Sequence, residues 1–274
     1  NTPPHTHKNQ LIGQRLPKSK NQMKFSLTPT AALVLVATTL IALLCLNNVC
    51  VLADLNPKRM HLVDFNLDTQ HYLFRGNFPG SKHEITYDYL MDSLRTRAKE
   101  QANIELSEKL RLVDITFLQS LIDRTMRQTE KEFWKQNEHL GRMVHWTIVG
   151  HPINASSLPS NTVRKALTLH TGDWDFSDKL IERVDTLYRW VHSLEESSVP
   201  TVYYIHCAAG VDRTGQVSGA YYMRHLGWSW LRSLQFDYMV SPRAINSWNQ
   251  NGMNWYCWWL YYTTGAPTDC RYGL

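Results

Sequence analysis

The apolar and polar positions of this chain change period several times along its length. Tyr72-Leu73-Phe74-Arg75-Gly76-Asn77-Phe78-Pro79 reads as a strand running into a turn. Over residues 87–139 charged and apolar residues recur at helical spacing. There Leu106, Leu110, Val113, Phe117 and Leu121 form one stripe, which predicts a core-facing helix. Residues 144–149 read as a strand, 153–161 as a polar loop, and 163–170 as another strand ending in Thr171-Gly172-Asp173-Trp174-Asp175. Ser177 is placed to cap an amphipathic helix over 178–194. Residues 201–205 then suit a buried strand, 206–213 a Gly-containing turn and 214–226 a helix. The stretch 228–262, which holds six of the ten tryptophans, predicts helices packed into the core. Strands alternating with helices argue an α/β fold.

Composition changes this picture mainly at the N-terminus. With 43% apolar and 11% aromatic residues, the chain excludes disorder as its main state. The net charge of +5 is local: residues 1–53 contain Lys8, Arg15, Lys18, Lys20 and Lys24 but no acidic residue, so the remainder is neutral. Without basic clustering on the folded part, a nucleic-acid partner is not expected. Residues 1–22 read as an unstructured upstream segment. From Met23, a basic start, an apolar run over 31–46 and Val51-Leu52-Ala53 predict a signal peptide over 23–53, cleaved after Ala53. The competing expectation is an uncleaved type II membrane anchor, although a span needs ~20 apolar residues. Both place the rest outside the cytosol, either secreted or in an endomembrane lumen, or as a single-pass membrane protein.

Cysteine usage agrees with that compartment. Cleavage leaves Cys207, Cys257 and Cys270, and an odd number in an oxidising compartment suggests one pair and one free thiol. Cys257 and Cys270 close a short loop across Gly265 and Pro267, so they are expected to pair and leave Cys207 free. Asn154-Ala155-Ser156 is a glycosylation sequon.

The stretch richest in chemistry is His206-Cys207-Ala208-Ala209-Gly210-Val211-Asp212-Arg213-Thr214-Gly215. It lies between an expected buried strand and an expected helix, where backbone N–H groups and a helix N-terminus converge on an anion. A thiol there is readily ionised. Arg213 supplies a planar fork that matches two phosphate oxygens, and Gly210 permits a turn that a Cβ would obstruct. Together these residue types suit nucleophilic attack on a phosphate ester.

His-Cys-x-x-Gly-x-x-Arg-Thr resembles the signature of the cysteine-dependent protein tyrosine and dual-specificity phosphatases. The residues that follow, Gln216-Val217-Ser218-Gly219-Ala220-Tyr221-Tyr222-Met223, look most like the protist dual-specificity branch. The resemblance implies an α/β phosphatase-type fold, with a central mainly parallel sheet flanked by helices and the Cys loop between a buried strand and a helix. Residues 54–68 read as a linker or an entry strand, and with the resemblance covering roughly Tyr72–Tyr262 the expected catalytic domain spans 69–265 and a tail 266–274. The resemblance implies catalysis without metal or other cofactor. Cys207 would form a cysteinyl-phosphate, and Ala208, Ala209, Gly210, Val211, Asp212 and Arg213 would bind the phosphate. His206 would orient the loop and help ionise the thiol, while Thr214 would hydrogen-bond the sulfur as it departs.

The general acid stays open. Asp173 and Asp175 precede Cys207 by 34 and 32 residues, near the family's spacing, but the usual Trp-Pro-Asp triplet is absent. Asp212, just before the Arg, matches a position that serves as the acid in myotubularins and a group of bacterial phosphatases. The expected substrate is phosphotyrosine or another phosphoprotein. A phosphoinositide or inositol phosphate is the alternative, and a phospho-binding pseudophosphatase a further one. A membrane partner is expected only if the N-terminal segment stays uncleaved. Arg75 reads equally as a phosphate or loop contact or as a surface ion pair.

Overall fold

A computed structural model describes residues 54–170, 178–192, 199–241 and 243–271. The signal or anchor segment, Asp173, Asp175 and the capping Ser177 therefore lie outside the described residues.

Five strands form the central sheet: β1 His61–Asn66, β2 His71–Asn77, β5 Arg111–Thr116, β6 Gly141–His145 and β7 Thr201–Cys207, with β3 Gly80–Ser81 and β4 Glu84–Ile85 forming a separate small hairpin. The order is β1-β2-β7-β5-β6; β1 runs antiparallel to β2, and the other neighbours are parallel. The segment 54–68, expected as a linker or an opening strand, carries β1. The helices are α1 Tyr87–Ala102, α2 Arg124–Gln136, α3 Asn161–His170, α4 Leu180–His192, α5 Asp212–His225, α6 Trp230–Val240 and α7 Ser247–Thr264. This is the α/β architecture, mainly parallel and flanked by helices, that the sequence implied.

β7 lies at the centre and is buried along its whole length. Because side chains alternate across a strand, Val202 and Tyr204 pack with Leu90, Leu94 and Ala98 of α1 and Trp134 of α2. Tyr203, Ile205 and Cys207 face the opposite layer, with Val184 and Leu187 of α4, Val217 and Tyr221 of α5, and Met253 and Cys257 of α7. Cys207 thus ends a central parallel strand at its carboxyl edge, where open α/β sheets place their ligands.

Three expected elements are corrected. The stripe from Leu106 to Leu121 is not one helix. α1 ends at Ala102, with Asn103 in the left-handed conformation, and residues 111–116 form β5. There Leu112 and Val113 are buried in opposite layers, and Leu121 is 95% exposed. Three- and four-residue spacings mimicked a helix across a loop and a strand. The strand expected over 163–170 is helix α3, which buries Arg164 and Thr168, one turn apart, and exposes Val163, Leu167 and Leu169. Arg164 fixes it by donating to the carbonyls of Ala155 (2.7 Å) and Leu158 (2.6 Å) and lying over the Trp258 ring. The strand expected over 144–149 is β6, which begins at Gly141, where a Cβ would collide with the Leu112 carbonyl.

The Trp-rich stretch is core, as expected: Trp230, Trp255 and Trp258 are buried. Cys257 and Cys270 are disulfide-bonded, and Cys207 is a free, buried cysteine. Asn154 is half-buried; its Oδ1 caps a turn at Ser156, and its Nδ2, the atom a glycan would occupy, donates to Asn251 (3.2 Å).

Candidate active site

Loop 207–213 joins β7 to α5 and leans on three strand ends. Asn77 of β2 pairs in register with Cys207, and Phe117, just past β5, donates its N–H to the His206 carbonyl (2.8 Å). Three successive loop carbonyls then point outward. Ala208 accepts from the Phe78 N–H (3.3 Å), Ala209 from Arg59 Nη1 (3.1 Å) and Gly210 from Arg75 Nη2 (2.9 Å). Carbonyls drawn outward turn the intervening N–H groups inward. Among the described residues, no amide from Ala208 to Arg213 donates a hydrogen bond to another group. A row of unpaired amides leading into the N-terminus of α5 is an anion-binding nest. Gly210 is needed in it: its φ is +70°, and a Cβ there would lie 2.5 Å from the Gly76 carbonyl oxygen.

Arg213 stands at the start of α5 with 15% of its side chain exposed. Its Nη1 is anchored by the Phe117 carbonyl (2.7 Å) and by Asp123 Oδ2 (2.5 Å). Nε and Nη2 hold no hydrogen bond among the described residues, and this is the edge that matches two phosphate oxygens. Burial opposes its charge, but Cys207 and Asp123 more than offset that and raise its pKa. Asp123 is itself held by the Gln119 N–H (2.8 Å). Nothing in the sequence singled it out, because it lies 90 residues from Arg213.

Arg75 is a loop contact and not a surface pair. It is fully buried, lies 2.6 Å from Asp237 Oδ1 of α6 and donates to Ser218 (2.9 Å) as well as to Gly210. A Cβ on Gly215 would collide with the Asp237 carboxylate, so that glycine makes room for the pair.

His206 lies on the other face of the sheet. Its Nε2 is 2.8 Å from Asp114 Oδ1 and 3.0 Å from Glu130 Oε1, all three side chains being buried. Burial works against the imidazolium, but Asp114 and then Glu130 outweigh it and raise His206 to about 10. Burial in turn pushes Glu130 up to about 7. The three offer ligand atoms within 4.8 Å of one another, a donor set a divalent cation accepts; a cation would have to displace the proton that His206 holds at neutral pH.

The other expected residues are placed as follows. Asp212 is in the first turn of α5, and both its carboxylate oxygens face Arg243 (2.7 and 2.5 Å), one also accepting the Asn246 N–H (2.8 Å). The Thr214 hydroxyl is buried with no hydrogen-bond partner among the described residues, Cys207 included. Arg59 and Arg243, which sequence reasoning passed over, both interact electrostatically with Cys207. They come from the opening segment and the α6–α7 connection, and no local pattern joins them to the loop.

No protein-family model matches this sequence, and no curated protein matches it. Among solved structures the chain is similar to PTPMT1 in complex with PI(5)P, at 15% identity over 76% of this chain and 99% of that chain, with a TM-score of 0.36. It is also similar to the PTP-2 phosphatase of Cydia pomonella, at 15% identity over 71% of this chain and 86% of that chain, with a TM-score of 0.32.

Proposed function

We propose that this protein is a phosphomonoesterase of the cysteine-dependent protein tyrosine and dual-specificity phosphatase type. The observation that carries this reading is the loop geometry: outward carbonyls, unpaired inward amides, Arg213 anchored through one nitrogen only, and Cys207 at the base. In the first step the Cys207 thiolate attacks phosphorus, an S–P bond forms, and the P–O ester bond breaks as the leaving oxygen takes a proton. In the second, water attacks phosphorus, the S–P bond breaks, and inorganic phosphate and the thiolate are released. The loop amides and Arg213 hold the equatorial oxygens through both steps. His206, held by Asp114 and Glu130, fixes the end of β7 beneath the nucleophile.

Asp212 is bound through both oxygens to Arg243, and we therefore assign the leaving-group proton to the segment bearing Asp173 and Asp175. Intact Cys207 and Arg213 weigh against a pseudophosphatase. The Cys257–Cys270 disulfide supports an oxidising compartment for the domain.

Hydrolysis of an aryl phosphate by the purified protein tests the reading. Cys207→Ser should abolish turnover while still binding a phosphate mimic, and Arg213→Lys should lower kcat by ~10²-fold or more. Turnover that survives in Cys207→Ser overturns the mechanism. Asp173→Asn and Asp175→Asn separate the acid candidates, since the true acid matters far more for esters with poor leaving groups.

A further inference from the structure

Among the described residues, every cation that touches the Cys207 loop is paired with a carboxylate except one. Arg213 has Asp123, Arg75 has Asp237, and His206 has Asp114 and Glu130. Arg243 has Asp212. Arg59 has none: its Nη1 donates to the Ala209 carbonyl (3.1 Å), and the charges acting on it are the opposing one of Arg243 and the favourable one of Cys207.

Arg59 is also held in place by construction. It ends the turn Pro57–Arg59, which Asn56 caps by accepting the Lys58 N–H (3.0 Å). Asn77, the residue paired in register with Cys207, accepts the Asn56 N–H (3.0 Å) and donates to the Asp54 carbonyl (3.1 Å). Arg97 of α1 donates to the Pro57 carbonyl (2.8 Å), and Leu55 and Met60 are buried on either side. Arg59 is thus a fixed guanidinium that has no carboxylate partner among the described residues, is bonded to the Cys207 loop and feels a second guanidinium whose charge Asp212 already meets. An added anion relieves that electrostatic arrangement.

We propose that Arg59, with Arg243 beside it, forms a second anion subsite that selects phosphate esters bearing a second phosphate next to the one hydrolysed, on a small alcohol such as an inositol ring. This rests on the phosphatase reading above. Because Arg59 bonds to a residue of the loop itself, an anion held by its remaining donors would sit close to the scissile phosphate. Adjacent substituents of one ring meet that spacing rigidly, whereas acidic groups on neighbouring peptide residues would have to be ordered at an entropic cost. The loop positions Ala208, Ala209 and Val211 bring no charge, so the selecting cation comes from outside the loop, 150 residues away.

The test compares kcat/KM of the full chain for inositol bearing two adjacent phosphates with that for inositol bearing one, with an aryl phosphate as reference. The wild type should prefer the bisphosphate by ~10-fold or more, mostly through KM, equivalent to about 1.4 kcal/mol. Arg59→Gln should collapse that ratio towards one, and Arg59→Lys should restore part of it. In a Cys207→Ser background, Arg59→Gln should weaken calorimetric binding of the bisphosphate more than that of inorganic phosphate.

If Arg59 only supports the Ala209 carbonyl, both inositol substrates lose the same factor, which overturns the proposal. So does a wild type without preference, or one that favours a doubly phosphorylated peptide over the inositol bisphosphate. Loss of aryl phosphate hydrolysis in the wild type would sink the phosphatase reading, while the binding arm would still decide the subsite. Preference in solution identifies a free sugar phosphate; preference only for the same headgroup in phospholipid vesicles identifies the lipid.

Discussion

Two polar networks hold the Cys207 loop from opposite faces of the sheet, and they are built on different charge arithmetic. On the α5–α6 face, Arg75 meets one carboxylate, Asp237, and spends further donors on Ser218 and the Gly210 carbonyl. On the α1–α2 face, one imidazole, His206, meets two carboxylates. The first is charge-matched and built on a guanidinium that does not titrate in proteins. The second carries more acid than base and retains protons: against the effect of burial its two carboxylates raise His206 to about 10, and burial raises Glu130 to about 7. The first network grips the loop through its carbonyl, and the second grips the strand beneath it. Loop geometry is thereby secured by a guanidinium that keeps its charge, paired with an Asp237 carboxylate that burial raises above its ordinary pKa, while the His206 network acts through the strand end.

The largest expected effect comes from breaking the matched pair. Arg75→Ala leaves Asp237 buried without its partner and the Gly210 carbonyl without its donor, and should cost ~3–5 kcal/mol in denaturant unfolding. The double variant Arg75→Met/Asp237→Leu should recover much of that stability but not the activity, since the loop carbonyl stays unheld. A loss below ~1 kcal/mol in the single variant would show that the clamp is not structural.

Gly210→Ala tests the loop that both networks serve. With φ at +70° and backbone atoms of Gly76 and Asn77 within 2.7 Å of the added Cβ, the loop must shift. The expected cost is ~1–3 kcal/mol, with ~10²-fold lost from kcat/KM, because small displacements of reacting groups are costly. Steady-state kinetics beside thermal melting checks both.

The titratable network should show itself in the pH dependence of stability. Glu130 is raised from 4.5 to about 7 and His206 from 6.5 to about 10, so the folded state binds more protons than the unfolded one across that range. Their contribution is complete at low pH and is lost as pH rises, through Glu130 up to about 7 and through His206 up to about 10. Glu130→Gln should flatten the lower part of that slope. An unaltered slope in Glu130→Gln would place the titration elsewhere.

Asp212→Asn should have the smallest effect on stability. Its partner Arg243 is 52% exposed, and such pairs contribute ~0.2–1 kcal/mol, readable as a small change in denaturant midpoint. A severe loss of activity against esters with poor leaving groups, with stability intact, would instead return Asp212 to the role of general acid.

The legible parts of this protein were those written in contiguous residues. A run from Thr201 into a Cys–Gly–Arg turn and on to a helix is a local pattern, and it predicted the strand, the loop and the helix together, with Cys207 and Arg213 at their junction. The Cys257–Cys270 pairing was legible for the same reason, being a short loop with a turn inside it. Periodicity misled where segments were short. The chain from Leu106 to Leu121 matched a helix by spacing alone, and residues 163–170 looked β-like until Arg164 and the face of α7 made a helix the better burial.

Which charges meet was decided only in three dimensions. Arg59, Arg75, Asp123 and Arg243 reach the Cys207 loop from separate parts of the chain, and the carboxylates of Asp114 and Glu130 converge on His206 from a strand and a helix. The sequence by itself determined the strand–loop–helix unit around Cys207, because strand, turn and helix propensities act between near neighbours. It could not show the network around that loop: ion pairs are set by distance in space, and a charge carries no period that marks a partner 90 or 150 residues away.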